Sequence, residues 1–110
     1  MKSALLLTAA LLVATATYAT AADVQENWTK QCASCHGKDG KGQTKAGKMA
    51  GAKDLTDAKY QETFTDEKMA KQIKEGLKDK TGKDLMKPFG DKLTDPEIKE
   101  LIAFVKKFKK

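Results

Sequence analysis

The chain has 110 residues, with 21 basic and 15 acidic side chains, two cysteines and one histidine, which leaves room for one small domain and excludes most large catalytic folds. Every basic side chain is a lysine; without the planar arginine fork that phosphate and base recognition commonly uses, a nucleic-acid partner has little support beyond bulk charge. Beyond residue 21, Leu, Ile, Val and Phe supply only 14 of the remaining 89 residues, too few for an ordinary core, so a cofactor is expected to complete it.

In chain order, residues 1–21 come first. They carry one lysine, no acid, an apolar run from Ala4 to Ala16 and an Ala-x-Ala ending at Ala19 and Ala21. This reads as a secretory signal cleaved after Ala21, or alternatively after Ala22. Threonines dilute the run, which is short and weakly apolar for a membrane anchor. The mature domain is then 22–110, outside the cytoplasm.

Asp23 is placed to cap a helix running toward Cys35, on which Val24, Trp28 and Cys32 recur every four residues. From Gly37 to Lys53 glycine and lysine dominate, which predicts an irregular loop, followed by a short helical turn at Asp57 to Gln61. Thr65 caps the next helix, with Asp66 and Glu67 in its first turn, Met69 and Ile73 on one face and Gly76 placed to end it. A second loop runs to Leu93. Thr94, Asp95, Pro96 and Glu97 then form a capping box with an early proline, and Ile98, Leu101, Ile102, Val105 and Phe108 make an apolar stripe. Lys106, Lys107, Lys109 and Lys110 suit the negative pole of that helix and offer charge for steering toward an acidic partner. No alternating strand pattern stands out, so the fold class is all-α.

The chemistry concentrates in Cys32-Ala33-Ser34-Cys35-His36, where both cysteines and the sole histidine form C-x-x-C-H. On a helical turn, residues three and four apart share a face, so Cys32 and Cys35 can each form a thioether to a haem vinyl group while His36 reaches the iron. Three alternatives fit less well. A Cys32–Cys35 disulfide closes a loop too small to constrain the unfolded chain much. A thioredoxin-like pair needs strands that the pattern does not show. A closed zinc site needs four ligands, and these residues make three. The glycine run offers no phosphate site: Gln43 stands where a Walker lysine belongs, and Lys45 where a dinucleotide fingerprint needs glycine.

C-A-S-C-H-G-K-D-G-K-G, together with M-K-P-F-G-D-K-L-T-D-P-E-I-K-E-L-I-A-F-V-K-K-F, resembles the haem-attachment site, sixth-ligand loop and closing helix of the small class I c-type cytochromes. These are the soluble single-haem proteins of bacterial respiratory and photosynthetic chains, and the resemblance covers residues 23–110. It implies an all-α cytochrome c-like fold, three to five short helices around one covalent haem c. It also implies His36 as the proximal and Met86 as the distal iron ligand.

Met49 and Met69 are rivals to Met86. Met69 shares a helical face with Ile73, the place of a core gap-filler. Met49 lies only 13 residues after His36, close for a crossing to the opposite haem face. Two departures from the family pattern stand out. Lys87 separates Met86 from Pro88, and no proline lies in the proximal loop to supply the carbonyl that orients the ligand histidine. A backbone carbonyl near Gly51 or Ala52 is the expected substitute. Leu55 fits either the proximal haem face or ordinary core.

With both axial positions filled, the reading is a periplasmic, monomeric electron carrier rather than an enzyme, docking transiently on redox partners with acidic patches. The alternative is a haem-based ligand sensor or weak peroxidase with a labile distal methionine.

Overall fold

A computed structural model of the chain describes residues 23–110; the segment read as an export signal lies outside the described residues, as does its cleavage position. The first helical run begins where expected. Asp23 accepts a hydrogen bond from the Gln25 amide (3.2 Å) on its carboxylate, and its carbonyl takes the Glu26 amide (2.7 Å), satisfying donors that a helix start leaves open. The run is not the uniform helix the spacing predicts. After α1 (Val24–Asn27) it widens into a π-helical turn, Trp28–Cys32, whose end is marked by the Ala33 amide bonding to the Trp28 carbonyl, before α2 (Ala33–His36) resumes. Such a turn holds more residues than an α turn and rotates everything after it about the axis. Its effect falls on the C-x-x-C-H residues. Gly37, at φ 78°, ends the run.

The stretch expected to be irregular contains α3 (Lys45–Ala50). Its glycine and lysine content hid two strong end signals. Thr44 accepts from the Gly47 amide (2.9 Å), and Gly51 closes the helix in the left-handed region at φ 72°. The short turn follows as α4 (Ala58–Gln61), capped by Asp57. Next comes α5 (Asp66–Glu75), capped by Thr65 and ended by Gly76.

The second expected loop holds a small antiparallel hairpin. In it β1 (Leu77–Lys78) pairs with β2 (Asp84–Met86), Leu77 opposite Met86 and Lys78 opposite Asp84, with a bulge between the pairs. Strands this short leave no alternation to read. The turn is organised by the Asp79 carboxylate, which accepts from the Thr81 amide (2.8 Å), the Thr81 hydroxyl (2.6 Å) and the Lys83 amide (3.0 Å). Finally α6 (Asp95–Lys106) starts with the full capping box between Thr94 and Glu97. Counting the first run as one body, the described residues form five helical bodies and this hairpin, an all-α fold with little strand.

The core is Trp28, Leu55, Phe89, Leu93, Ile98, Leu101, Ile102 and Val105, flanked by half-buried Val24, Met69, Ile73, Phe104 and Phe108. The first and last helices are joined by the Trp28 ring against Phe104 (5.4 Å) and Phe108 (5.2 Å), and by Asn27 Nδ2 donating to Glu97 (2.8 Å). On α6, α5 is held by a Lys106–Asp66 ion pair and by Lys74 to Asp95 (2.7 Å). Gln61 Nε2 donates to the carbonyls of Leu55 (2.7 Å) and Val105 (2.9 Å), and the Lys110 amide to that of Thr56 (3.0 Å). These bonds tie the middle of the chain to its end. Among the described residues, no helix is long and apolar enough to cross a membrane.

Candidate functional site

Cys32 closes the π turn, while Cys35 and His36 occupy the last residues of α2. Both cysteines are free and half-buried. Burial, with a smaller contribution from the neighbouring Cys35, pushes the Cys32 thiol up to about 11. A redox-active C-x-x-C pair needs the opposite, a thiol whose pKa is lowered so that the thiolate forms. Burial also lowers the pKa of His36 and so favours the neutral imidazole, the form that ligates a metal.

The motif is held from behind. Trp28 lies beside the His36 ring at 5.8 Å between centroids and donates its indole N–H to the Gly37 carbonyl (3.1 Å). The Gly42 amide returns to the His36 carbonyl (2.8 Å), and the Leu55 amide to that of Gly40 (2.8 Å). Gly40 tolerates no side chain, because a Cβ there would stand 2.9 Å from the Phe108 ring. Leu55 is therefore part of the packed core beneath this loop.

Thr44 is the functional neighbour that sequence reasoning missed. Its hydroxyl accepts from Gly47 and shares its own proton between the carbonyls of Ser34 (2.7 Å) and Cys35 (2.8 Å). The cap of α3 is thus also a clasp on the C-x-x-C-H backbone. Gly47 completes it, since a Cβ at that position would meet the Cys35 carbonyl at 2.1 Å.

Among the described residues, one buried side-chain nitrogen or oxygen has no hydrogen-bond partner, His36 Nδ1. The carbonyl acceptor expected near Gly51 or Ala52 does not bond to it. The Ala52 carbonyl faces Gly42 instead, 2.9 Å from where a Cβ would sit there.

Met86 arrives from another direction, at the end of β2, half-buried against the core. Gly76, at φ 75°, lets the strand approach so closely that a Cβ would lie 2.4 Å from the Met86 carbonyl. Beyond it, the Phe89 amide bonds to the Ile73 carbonyl (2.9 Å) and the Gly90 amide to that of Lys74 (3.2 Å). Gln72 Nε2 reaches the Met86 sulfur at 3.9 Å. Of the rival methionines, Met49 is 78% exposed on α3, and Met69 is packed against the core.

These residues fit a haem. Two free thiols three residues apart, a half-buried imidazole with a buried, unpartnered nitrogen and a half-buried thioether are the donor types that such a group uses. Among the described residues, no three His, Cys, Asp or Glu side chains gather as they would around a bare cation. Donors spread in this way suit a macrocycle held at its edge and at its iron.

Comparison with known proteins points the same way. Residues 19–105 match the family model described as cytochrome c oxidase, cbb3-type, subunit III. A solved structure described as KustC0563 c-type cytochrome is 38% identical, with 80% of this chain and 99% of that chain covered and a TM-score of 0.71. A mutant of that protein is 37% identical over 79% and 99%, with a TM-score of 0.68. No curated relative matches the chain.

Proposed function

The chain belongs to the c-type cytochromes, the covalent haem c proteins of electron transfer, and on that premise we propose an exported, periplasmic electron carrier with Cys32 and Cys35 as thioether anchors and His36 and Met86 as axial ligands. The observation that carries this reading is the placement of His36. A half-buried ring in the same motif as two free thiols, its buried Nδ1 without a protein partner, is braced on one side by Trp28, while Thr44 clasps the adjoining backbone.

The bound group supplies the one-electron couple between ferrous and ferric iron. The chain supplies position and exclusion. Cys32 and Cys35 fix the haem edge to the end of the first helical run, so that His36 is always presented at one depth. Met86 would hold the group with a neutral thioether, which would favour the ferrous state and leave no open site for exogenous ligands. The apolar core of Trp28, Leu55, Phe89 and the α6 stripe keeps water from the site, which limits the rearrangement accompanying electron transfer. Lysines, 20 of them after residue 21, attract partners with acidic patches, an attraction that salt screens.

The test is retention under denaturation combined with ligand access. Cys32→Ala and Cys35→Ala are expected to weaken or abolish covalent haem retention on a denaturing gel. Met86→Ala is expected to keep the haem, lower the potential and admit cyanide or carbon monoxide. Rapid, tight cyanide binding by the unaltered protein would favour a ligand sensor or weak peroxidase instead.

A further inference from the structure

We propose that Trp28 is the positioning residue of the proximal imidazole, the face of its indole setting the rotation of the His36 ring; this rests on His36 being an iron ligand. A ligand histidine is normally oriented by a hydrogen bond from its second ring nitrogen. Here that nitrogen makes no such bond: Nδ1 is buried without an acceptor, and the Ala52 carbonyl lies against Gly42 instead. Beside the ring stands the indole, 5.8 Å away between centroids at an interplanar angle of 32°, within the range at which aromatic rings attract.

The widened turn is what brings the two rings together. Trp28 and His36 are eight residues apart, and in an unbroken α-helix that spacing leaves two side chains about 80° apart around the axis. The π turn at Trp28–Cys32, closed by the Ala33 amide on the Trp28 carbonyl, takes up one extra residue. Eight residues then turn the chain through roughly the rotation of seven, which brings the two side chains to within about 20° of one another. The indole cannot swing away. Phe104 and Phe108 pack against it at 5.4 and 5.2 Å, its N–H is bound to the Gly37 carbonyl (3.1 Å), and only 4% of it is exposed. The Gly42 amide fixes the His36 backbone through its carbonyl (2.8 Å), but the rotation of the imidazole about its own side-chain bond is left to the neighbouring ring.

The experiment uses the haem-loaded protein grown with isotope-labelled histidine. The chain has one histidine, so every labelled ring nitrogen belongs to His36. Three quantities are read: the shifts of those nitrogens, the spread of the haem methyl proton shifts in the ferric state, which follows the planes of the axial ligands, and the melting temperature. Trp28→Leu removes the aromatic face and is expected to redistribute the methyl shifts more than Trp28→Phe, which keeps a smaller one. Thr94→Ala, which loses the α6 cap, is expected to lower the melting temperature and leave the methyl shifts in place. Unchanged methyl shifts in Trp28→Leu, a larger change in Trp28→Phe than in Trp28→Leu, or the same redistribution in Thr94→Ala would each overturn the proposal. Should Trp28→Leu yield no haem-loaded protein, Trp28→Phe decides alone, redistribution supporting the proposal and unchanged shifts overturning it. The nitrogen signals separate the two levels of inference. If one ring nitrogen of the unaltered protein carries a large iron-induced shift while the methyl shifts of the Trp28 variants stay put, only the role of Trp28 fails. If neither nitrogen is shifted by iron, His36 is not a ligand and the role of Trp28 fails with that assignment.

Discussion

Trp28 carries more of this site than any residue outside C-x-x-C-H. Its ring joins the first helix to α6 through Phe104 and Phe108, and its indole N–H holds the Gly37 carbonyl at the point where the chain turns away from His36. Apolar spacing is enough to identify it as core. Its hydrogen bond depends on the positive φ of Gly37, which no periodicity reports. Trp28→Phe retains most of the packing but leaves the Gly37 carbonyl with the Gly40 amide (3.3 Å) alone, a loss of about 0.5–1.5 kcal/mol for the indole bond. For a domain of this size each kcal/mol is worth roughly 4–8 °C, so a clear drop in the melting temperature of the haem-loaded protein is expected. An unchanged melting temperature would show that the bond contributes nothing. Thr44 is a parallel case. A threonine before a glycine–lysine stretch looks like an ordinary loop residue until the carbonyls of Ser34 and Cys35 are brought against it.

At the scale of elements, the capped helices were legible and the segments built on glycine were not. Thr65 and the Thr94–Glu97 box announce α5 and α6 because side-chain caps and apolar stripes are local signals. By contrast, α3 contains Gly47, a residue that disfavours helix by about 1 kcal/mol relative to alanine. The reason for it lies twelve residues away in sequence, at the Cys35 carbonyl. Propensity alone predicts that Gly47→Ala stabilises α3. The 2.1 Å approach to a backbone oxygen predicts net destabilisation of about 2 kcal/mol or more, since overpacking against rigid backbone outweighs the propensity gain. Chemical denaturation decides between them, and a neutral or stabilised variant would contradict the role assigned to this glycine.

The start of α6 has a pH signature. The Glu97 carboxylate accepts from the Thr94 amide (3.0 Å) and from Asn27 Nδ2 (2.8 Å), and these bonds hold it below its ordinary range. A depressed carboxylate stabilises the fold fully above its unfolded pKa, and that stabilisation is lost as pH falls through the folded value. The acid limb of a stability–pH profile is therefore expected to be shallower in Glu97→Gln than in the unaltered protein. Coincident profiles would remove the box from the account of acid sensitivity.

For the whole molecule, composition already pointed to a core completed from outside the chain, and the structure shows how few residues do the packing. Among the described residues, eight buried apolar side chains, Trp28 and seven others mostly from α6 and the segment before it, form the core. The all-α architecture followed from caps and stripes, and C-x-x-C-H identified the chemistry. The widened turn at Trp28–Cys32 and the hairpin that delivers Met86 did not follow, because both arise from contacts between distant segments: the Gly76 pass, the Phe89–Ile73 bond and the packing of the first helix on the last. On the proposed reading, electron transfer with closed axial coordination depends on all of these together.

The most direct test of that claim is the absorption spectrum of the haem-loaded protein, oxidised and reduced, after expression in a host with c-type maturation machinery. The account predicts sharp low-spin bands on reduction and a weak red methionine-to-ferric-iron band on oxidation. A haem spectrum lacking that band would contradict His36–Met86 ligation, and absence of covalent haem would contradict the reading of Cys32, Cys35 and His36 altogether.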